Sequence, residues 1–206
     1  MPNISTHINF IRILINKHFN DFDINFLTLG SIAPNYYVIF NDINKECLSH
    51  FKNNINDKCD LNKFNLNIFN KNLNYLEKSF ATGYYIHLWL DNYFDENMKK
   101  AFFKNCNLKS FKSVILNENI KNYDVKQLLD FITKINIENQ AFNDFLPINI
   151  NKSISIFNDF KYKCLNKNFN IKYPIILNEH DYNTFLNNCL DIFLSETINK
   201  NIIKTL

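Results

Sequence analysis

A histidine and an aspartate four residues apart sit inside one of the most apolar stretches of the chain. In Ser79-Phe80-Ala81-Thr82-Gly83-Tyr84-Tyr85-Ile86-His87-Leu88-Trp89-Leu90-Asp91, His87 and Asp91 stand at i and i+4, one above the other on a helix face. An imidazole nitrogen and a carboxylate oxygen aimed at one point make either a metal-ligand pair or a core histidine held by a carboxylate one turn away. Gly83 lies one turn earlier on that face. A glycine inside a helix costs roughly 1 kcal/mol of helix propensity, and the chain has only 2 glycines. Its place there points to a packing or site requirement.

The elements that must position this pair read as helices. Thr6 is the expected N-cap of a first helix over 7–19, whose apolar residues (Ile8, Ile11 and Ile15 on one side, Phe10, Ile13 and Leu14 on others) nearly surround it, as in a buried helix. His7 falls in its first turn. His18 shares that face but lies eleven residues on, about 16 Å away at 1.5 Å per residue, so the two cannot share an ion. Gly30 and Pro34 punctuate Leu27 to Tyr37 as a buried irregular loop carrying Asn35. A second helix is expected over 42–54, with Asp42, Glu46 and His50 as a polar stripe. Asp42 and Glu46 read as a solvated face, whereas His50 lies beside Leu48 and Phe51 at the apolar end. A linker with Asp57, Cys59 and Asp60 leads to a third helix from about 61. The His87 helix should run over 73–94, with Asp95 capping another over 96–106. Helical spacing returns over 124–135, 153–165 and 181–198, with Pro147 and Pro174 as breaks. No period-2 strand pattern and no internal repeat emerge. The expectation is all-α: seven or eight helices in a compact multi-helix bundle, one domain over 1–206.

Composition sets bounds. The chain has 206 residues, 46% hydrophobic and 16% aromatic, enough to bury a sizeable core and too apolar for disorder. Its net charge of +3 from 23 basic and 20 acidic residues indicates no nucleic-acid or membrane-surface partner. Asparagine is the commonest residue and Arg12 the lone arginine, biases of an AT-rich coding sequence that carry little functional information. The 5 cysteines (Cys47, Cys59, Cys106, Cys164, Cys189) form no CxxC pair, which excludes a zinc ribbon and reads as reduced structural thiols. No signal-like N-terminus and no run of about 18 apolar residues is present, so a soluble, cytoplasmic protein is expected.

Four candidate ligands, His7, His50, His87 and Asp91, thus stand on three helical segments, with Asn35 on the loop between the first two. Their sequence context resembles a known family. Met-Pro-Asn-Ile-Ser-Thr-His at 1–7, Leu-Gly-Ser-Ile-Ala-Pro-Asn at 29–35, Ser-His-Phe at 49–51 and Phe-Ala-Thr-Gly-Tyr-Tyr-Ile-His-Leu-Trp-Leu-Asp at 80–91 look like the bacterial zinc-dependent phospholipase C family. More closely, they resemble its small cytoplasmic branch, within a superfamily that also holds helical single-strand nucleases. The likeness covers about residues 1–94. Beyond them the chain is similar only in being helical.

The resemblance implies a helical fold of the phospholipase C/nuclease-like type and one or two zinc ions. It implies His7, Asn35, His50, His87 and Asp91 as metal ligands, with Asp91 able to bridge two ions. Zinc-activated water would attack a phosphodiester in a phosphate-ester small molecule or lipid headgroup, and Asn35 and Asp91 are the implied catalytic residues. Three departures bear on this. Asn35 stands where the family has Asp, and an amide cannot take a proton at neutral pH, so the alternative is a catalytically impaired metal-binding pseudoenzyme or scaffold. After Asp91 only His180 remains, with Thr184 four residues on, which does not supply the larger enzymes' third zinc site. The family's N-terminal amine ligand would fall on Pro2 if Met1 is removed. Tyr84 is placed by helical spacing nearest the His87 face, as core or as cleft wall. A purely structural protein with buried histidines is the remaining alternative.

Overall fold

The computed structural model describes residues 4–18, 21–102, 125–137, 146–148, 150–166 and 179–199, and these form nine α-helices with no strand among them. In order they are α1 (Ile4–His18), α2 (Ile24–Ile32), α3 (Asn35–Ile39), α4 (Ile43–Ser49), α5 (Leu61–Phe64), α6 (Tyr75–Phe102), α7 (Val125–Lys134), α8 (Ile150–Asn166) and α9 (Glu179–Asn199). A π-helical turn, Asn65–Phe69, follows α5 directly. The protein is all-α, and α2 packed along α6 is its centre, with α1 laid against both.

Local chemistry explains where these helices start. Asp23 caps α2, its carboxylate accepting from the backbone N–H of Asn25 and of Phe26, both at 2.9 Å. Its own N–H donates to Ser79 Oγ at 2.9 Å, which ties this cap to α6. At the head of α6, Asn74 and Glu77 form a reciprocal capping box: Asn74 Oδ1 accepts from Glu77 N, and Glu77 Oε2 accepts from Asn74 N, each at 2.9 Å. Asp23→Ala removes two acceptors from orphan N–H groups. It is expected to cost about 1 kcal/mol, a fall in Tm of roughly 2–4 °C for a chain of this size, readable by circular dichroism.

The segment 27–37 is not an irregular loop. Residues 26–32 of α2 are all buried, and a helix apolar on every side has no face to give to water. Gly30 is not a turn residue but a contact. A β-carbon there would stand 2.0 Å from the Phe80 carbonyl oxygen, and one at Gly83 would stand 2.0 Å from that of Leu27. Both glycines of the chain therefore sit at one crossing, each admitting the other helix's backbone. The chain breaks only at Ala33–Pro34 before resuming as α3.

Three other boundaries differ from expectation. α1 begins at Ile4, so Thr6 is inside the helix rather than its cap, and its hydroxyl accepts from Tyr182 Oη at 3.0 Å, joining α1 to α9. α6 passes through Asp95 without a stop and reaches Phe102, merging two expected helices into one. α4 ends at Ser49, earlier than expected. The expected helix end near Cys106, Cys106 itself, Pro174 and the Pro2 amine lie outside the described residues. Among the described cysteines, Cys59, Cys164 and Cys189 are buried and Cys47 is partly exposed. No described helix is long and apolar enough to cross a membrane.

Candidate metal centre

The α2–α6 crossing sets up the site one turn further along. Ser31 follows Gly30, and its carbonyl oxygen lies 2.7 Å from His87 Nδ1. A carbonyl only accepts, so Nδ1 carries the proton and, in the neutral ring, Nε2 is left as a bare lone pair. His50 is fixed the same way. Its Nδ1 lies 2.9 Å from the Glu46 carbonyl oxygen, with Ser49 Oγ at 3.1 Å, so its Nε2 is also a lone pair.

These two lone pairs face each other at 3.3 Å. Each stands 3.5 Å from Asp91 Oδ2, while His7 Nε2 stands 3.5 Å from Asp91 Oδ1. The His7 and His87 rings are stacked, centroids 3.9 Å apart and planes 11° from parallel. Four helical segments thus converge: α1 brings His7, the end of α4 brings His50, α6 brings His87 and Asp91, and α2 brings the carbonyl that orients His87. All four side chains are buried, with exposures of 0–1%.

Without a cation this arrangement is unfavourable. Both Asp91 oxygens and both His7 nitrogens are buried with no hydrogen-bond partner, and an unpaired buried carboxylate is among the costliest groups a core can hold. The 3.5 Å contacts are too long for charge-assisted hydrogen bonds, which run about 2.7–2.9 Å. They do match the separation of two ligands on one tetrahedral ion with bonds of about 2.1 Å, which is roughly 3.4 Å. His50 Nε2, His87 Nε2 and Asp91 Oδ2 form a near-equilateral triangle of 3.3, 3.5 and 3.5 Å. The remaining imidazole nitrogens both reach backbone carbonyls, the outer-shell bond that metal-ligating histidines make. The buried group around His7, His87 and Asp91 can hold a metal ion.

Burial also sets the protonation. It pushes His7 down to about 3, with His87 as the next cause, and pushes His50 down to about 4. Burial alone would raise the Asp91 carboxyl, but His87 and then His7 hold it well below the ordinary 3.8. Neutral His7 and His50 beside an ionised Asp91 are the ligand state a metal requires. A linkage follows. The unfolded chain protonates both histidines near 6.5 while the folded chain does not, so acid favours unfolding. Stability of the metal-free protein is expected to fall as pH drops below about 6.5 and to keep falling to about 4 for His50 and about 3 for His7. The Asp91 contribution is lost only below the ordinary 3.8. Unfolding free energies from urea melts at pH 7 and pH 4.5 should differ by on the order of 5 kcal/mol for the two histidines together.

No protein-family model, no curated protein and no solved structure matches this chain.

Asn35 is the first residue of α3, buried, with its amide nitrogen unpartnered. Its neighbour Pro34 accepts through its carbonyl from Ser49 Oγ at 3.3 Å, which pins this corner beside His50. His180 is exposed in the first turn of α9, and His18 is the last residue of α1. Tyr84 is core: wholly buried, its hydroxyl donating to the Ser49 carbonyl. Trp89 is buried as well and donates from Nε1 to Glu196 on α9 at 3.0 Å. Glu46 is not on a solvated face. It is buried, and its backbone carbonyl holds His50. Asp42 instead caps α4, accepting from Lys45 N at 3.2 Å.

Phe51 is a residue of the site that periodicity does not reveal. α4 closes in a Schellman pattern, with Lys52 N donating to Cys47 O at 2.9 Å and Phe51 N to Leu48 O at 3.2 Å. The left-handed position, usually glycine, is Phe51 at φ 54°, uncommon for a bulky residue. Its buried ring meets Phe64 edge-on at 5.1 Å. Packing therefore holds the strained backbone that aims His50 inward.

Proposed function

We propose that this chain is a metal-dependent phosphodiester hydrolase, phospholipase C-like in chemistry, with zinc bound by His7, His50, His87 and Asp91. The observation that supports it most is the convergence of imidazole lone pairs with fixed tautomers on one buried carboxylate. A nitrogen-rich set with a single carboxylate suits zinc, although iron, manganese or nickel share such ligands. Asp91 turns Oδ1 to His7 and Oδ2 to His50 and His87, which suits one ion or two bridged by the carboxylate. The phosphodiester substrate, in a small phosphate ester or lipid headgroup, rests on the motif likeness alone.

When bound, the metal supplies a Lewis acid that lowers the pKa of water and neutralises charge on phosphoryl oxygens. The chain's own part is positional. The Ser31 and Glu46 carbonyls keep the two Nε2 atoms free of protons, and Asp91 contributes the negative charge. Asn35 can orient a water or substrate oxygen through its amide but cannot accept a proton from it.

A second reading is a metal-binding protein without catalysis. The near-complete burial of all four ligands favours it, since structural metal sites are closed and catalytic ones keep an open position. Hydrolysis of bis(p-nitrophenyl) phosphate by wild type and Asn35→Asp, at matched metal content, separates the two. Activity that follows metal content supports the hydrolase. Activity gained only in Asn35→Asp identifies an enzyme that lost its base. A fully metal-loaded protein inactive in both forms leaves the closed centre and ends the hydrolase reading on this substrate class.

A further inference from the structure

A second candidate site lies beside the centre without sharing any of its ligands. A cavity of about 320 Å3 opens past the end of α4, lined by Lys52, Lys63 and Lys71 together with apolar residues that include Phe51, Ile68 and Leu146. The three lysines come from three places: just after His50, on α5, and just after the π-helical turn. None of the residues lining it is acidic.

Lys52 is the informative one. It is 9% exposed, and among the described residues no carboxylate pairs with it or with Lys63. The hydrocarbon stem of Lys52 is covered while its ammonium is not among the fully buried, unpartnered polar atoms, as long cationic side chains arrange themselves at the edge of apolar surface. Here the charge faces a cavity large enough for a small ligand, flanked by a second cation with no acid of its own. That combination lacks one component, an anion. We propose that this cavity is a phosphate-binding site, with Lys52 as its most enclosed cation, the exposed Lys63 and Lys71 beside it, and the apolar wall taking the carbon portion of a phosphate monoester. Point-charge ammonium groups on flexible stems suit a phosphoryl group that offers several acceptor oxygens. The site does not depend on the metal centre, because His7, His50, His87 and Asp91 do not line the cavity.

The phosphate can belong to a soluble ester or to a lipid headgroup, and two arms distinguish them. In the first, inorganic phosphate and glycerol 3-phosphate are titrated calorimetrically into the protein as purified, with metal content measured in every sample. In the second, the protein is sedimented with phosphatidylcholine vesicles with and without phosphatidic acid. Lys52→Gln and Lys63→Gln are run in both, the exposed Lys63 guarding against a misfolded Lys52 variant. The expected result is saturable binding in one arm, weakened roughly tenfold by either substitution, with metal content unchanged. Saturation by the soluble probes supports a small ester as the ligand; binding only to phosphatidic acid vesicles supports a headgroup. No binding in either arm, or binding that Lys63→Gln and a folded Lys52→Gln both leave intact, overturns the proposal. Binding lost only when metal is removed, with the lysine variants unaffected, would place the phosphate on the metal centre and overturn it equally.

Discussion

Gly83→Ala should be among the most damaging single-methyl changes in this protein. The added β-carbon would stand 2.0 Å from the Leu27 carbonyl oxygen and 2.9 Å from Ser31 N, where normal contacts are above 3 Å. Both neighbours are backbone within a helix, so neither can rotate away, and α2 and α6 must separate along their whole contact. Overpacking in cores costs about 1–3 kcal/mol when side chains can yield, and here they cannot. The helix-propensity gain of about 1 kcal/mol does not offset this. A net loss of about 3 kcal/mol or more is expected, a Tm decrease of roughly 6–12 °C for a domain of this size, against total stabilities of about 5–15 kcal/mol.

The same change should also reach the metal centre, because the crossing that seats Gly83 on Leu27 seats His87 Nδ1 on Ser31 O at 2.7 Å. Forcing the helices apart lengthens that bond and frees the His87 tautomer. Gly83→Ala protein that still folds is expected to bind metal more weakly than wild type. Gly30→Ala tests the reciprocal contact, where the β-carbon meets the Phe80 carbonyl at 2.0 Å. A Gly83→Ala protein that melts at or above the wild-type temperature would mean that the two helices are not in this register.

How much of this was readable in advance depends on the range over which each signal acts. The all-α class and the pairing of His87 with Asp91 are local: helical periodicity and i, i+4 spacing carry them. The meeting of His7 and His50 with that pair is tertiary, and no spacing within the chain encodes it. Only the order of motifs hinted at it. Gly30 shows why a local rule can point the wrong way. A glycine followed four residues later by proline is turn punctuation in most sequences, but here Gly30 is a contact point inside α2, and the break is confined to Ala33–Pro34. Asp95 failed for a related reason: a cap residue caps only where the preceding helix ends, and tertiary packing of Phe94 on Phe185, edge-on at 5.2 Å, accompanies continuation instead. Phe51 in the left-handed region could not be anticipated, since its strain is held by aromatic neighbours distant in sequence.

Asp91→Asn should change sign with metal. In the metal-loaded protein it removes the one anionic ligand, and metal content is expected to fall from one or two equivalents to near zero, as His87→Ala should also show. Wild type should then melt lower on chelation by roughly 10 °C, since an ion held at about a thousand times its Kd contributes about 4 kcal/mol. In the metal-free protein the substitution acts the other way. Asp91 Oδ2 faces two imidazole lone pairs at 3.5 Å, three acceptors with no proton among them when the rings are neutral. An asparagine of the same shape brings two N–H donors to that point. Metal-free Asp91→Asn is therefore expected to be at least as stable as chelated wild type and to ignore chelator altogether. Elemental analysis and thermal melts with and without chelator read both effects. A wild type that holds no metal, takes up none when zinc is offered, and loses stability in Asp91→Asn would show instead that a proton occupies the cluster, with His87 as the imidazolium that pairs Asp91. The convergence of ligands would then be the packing of a buried ion pair, and the hydrolase reading would have no centre to act through.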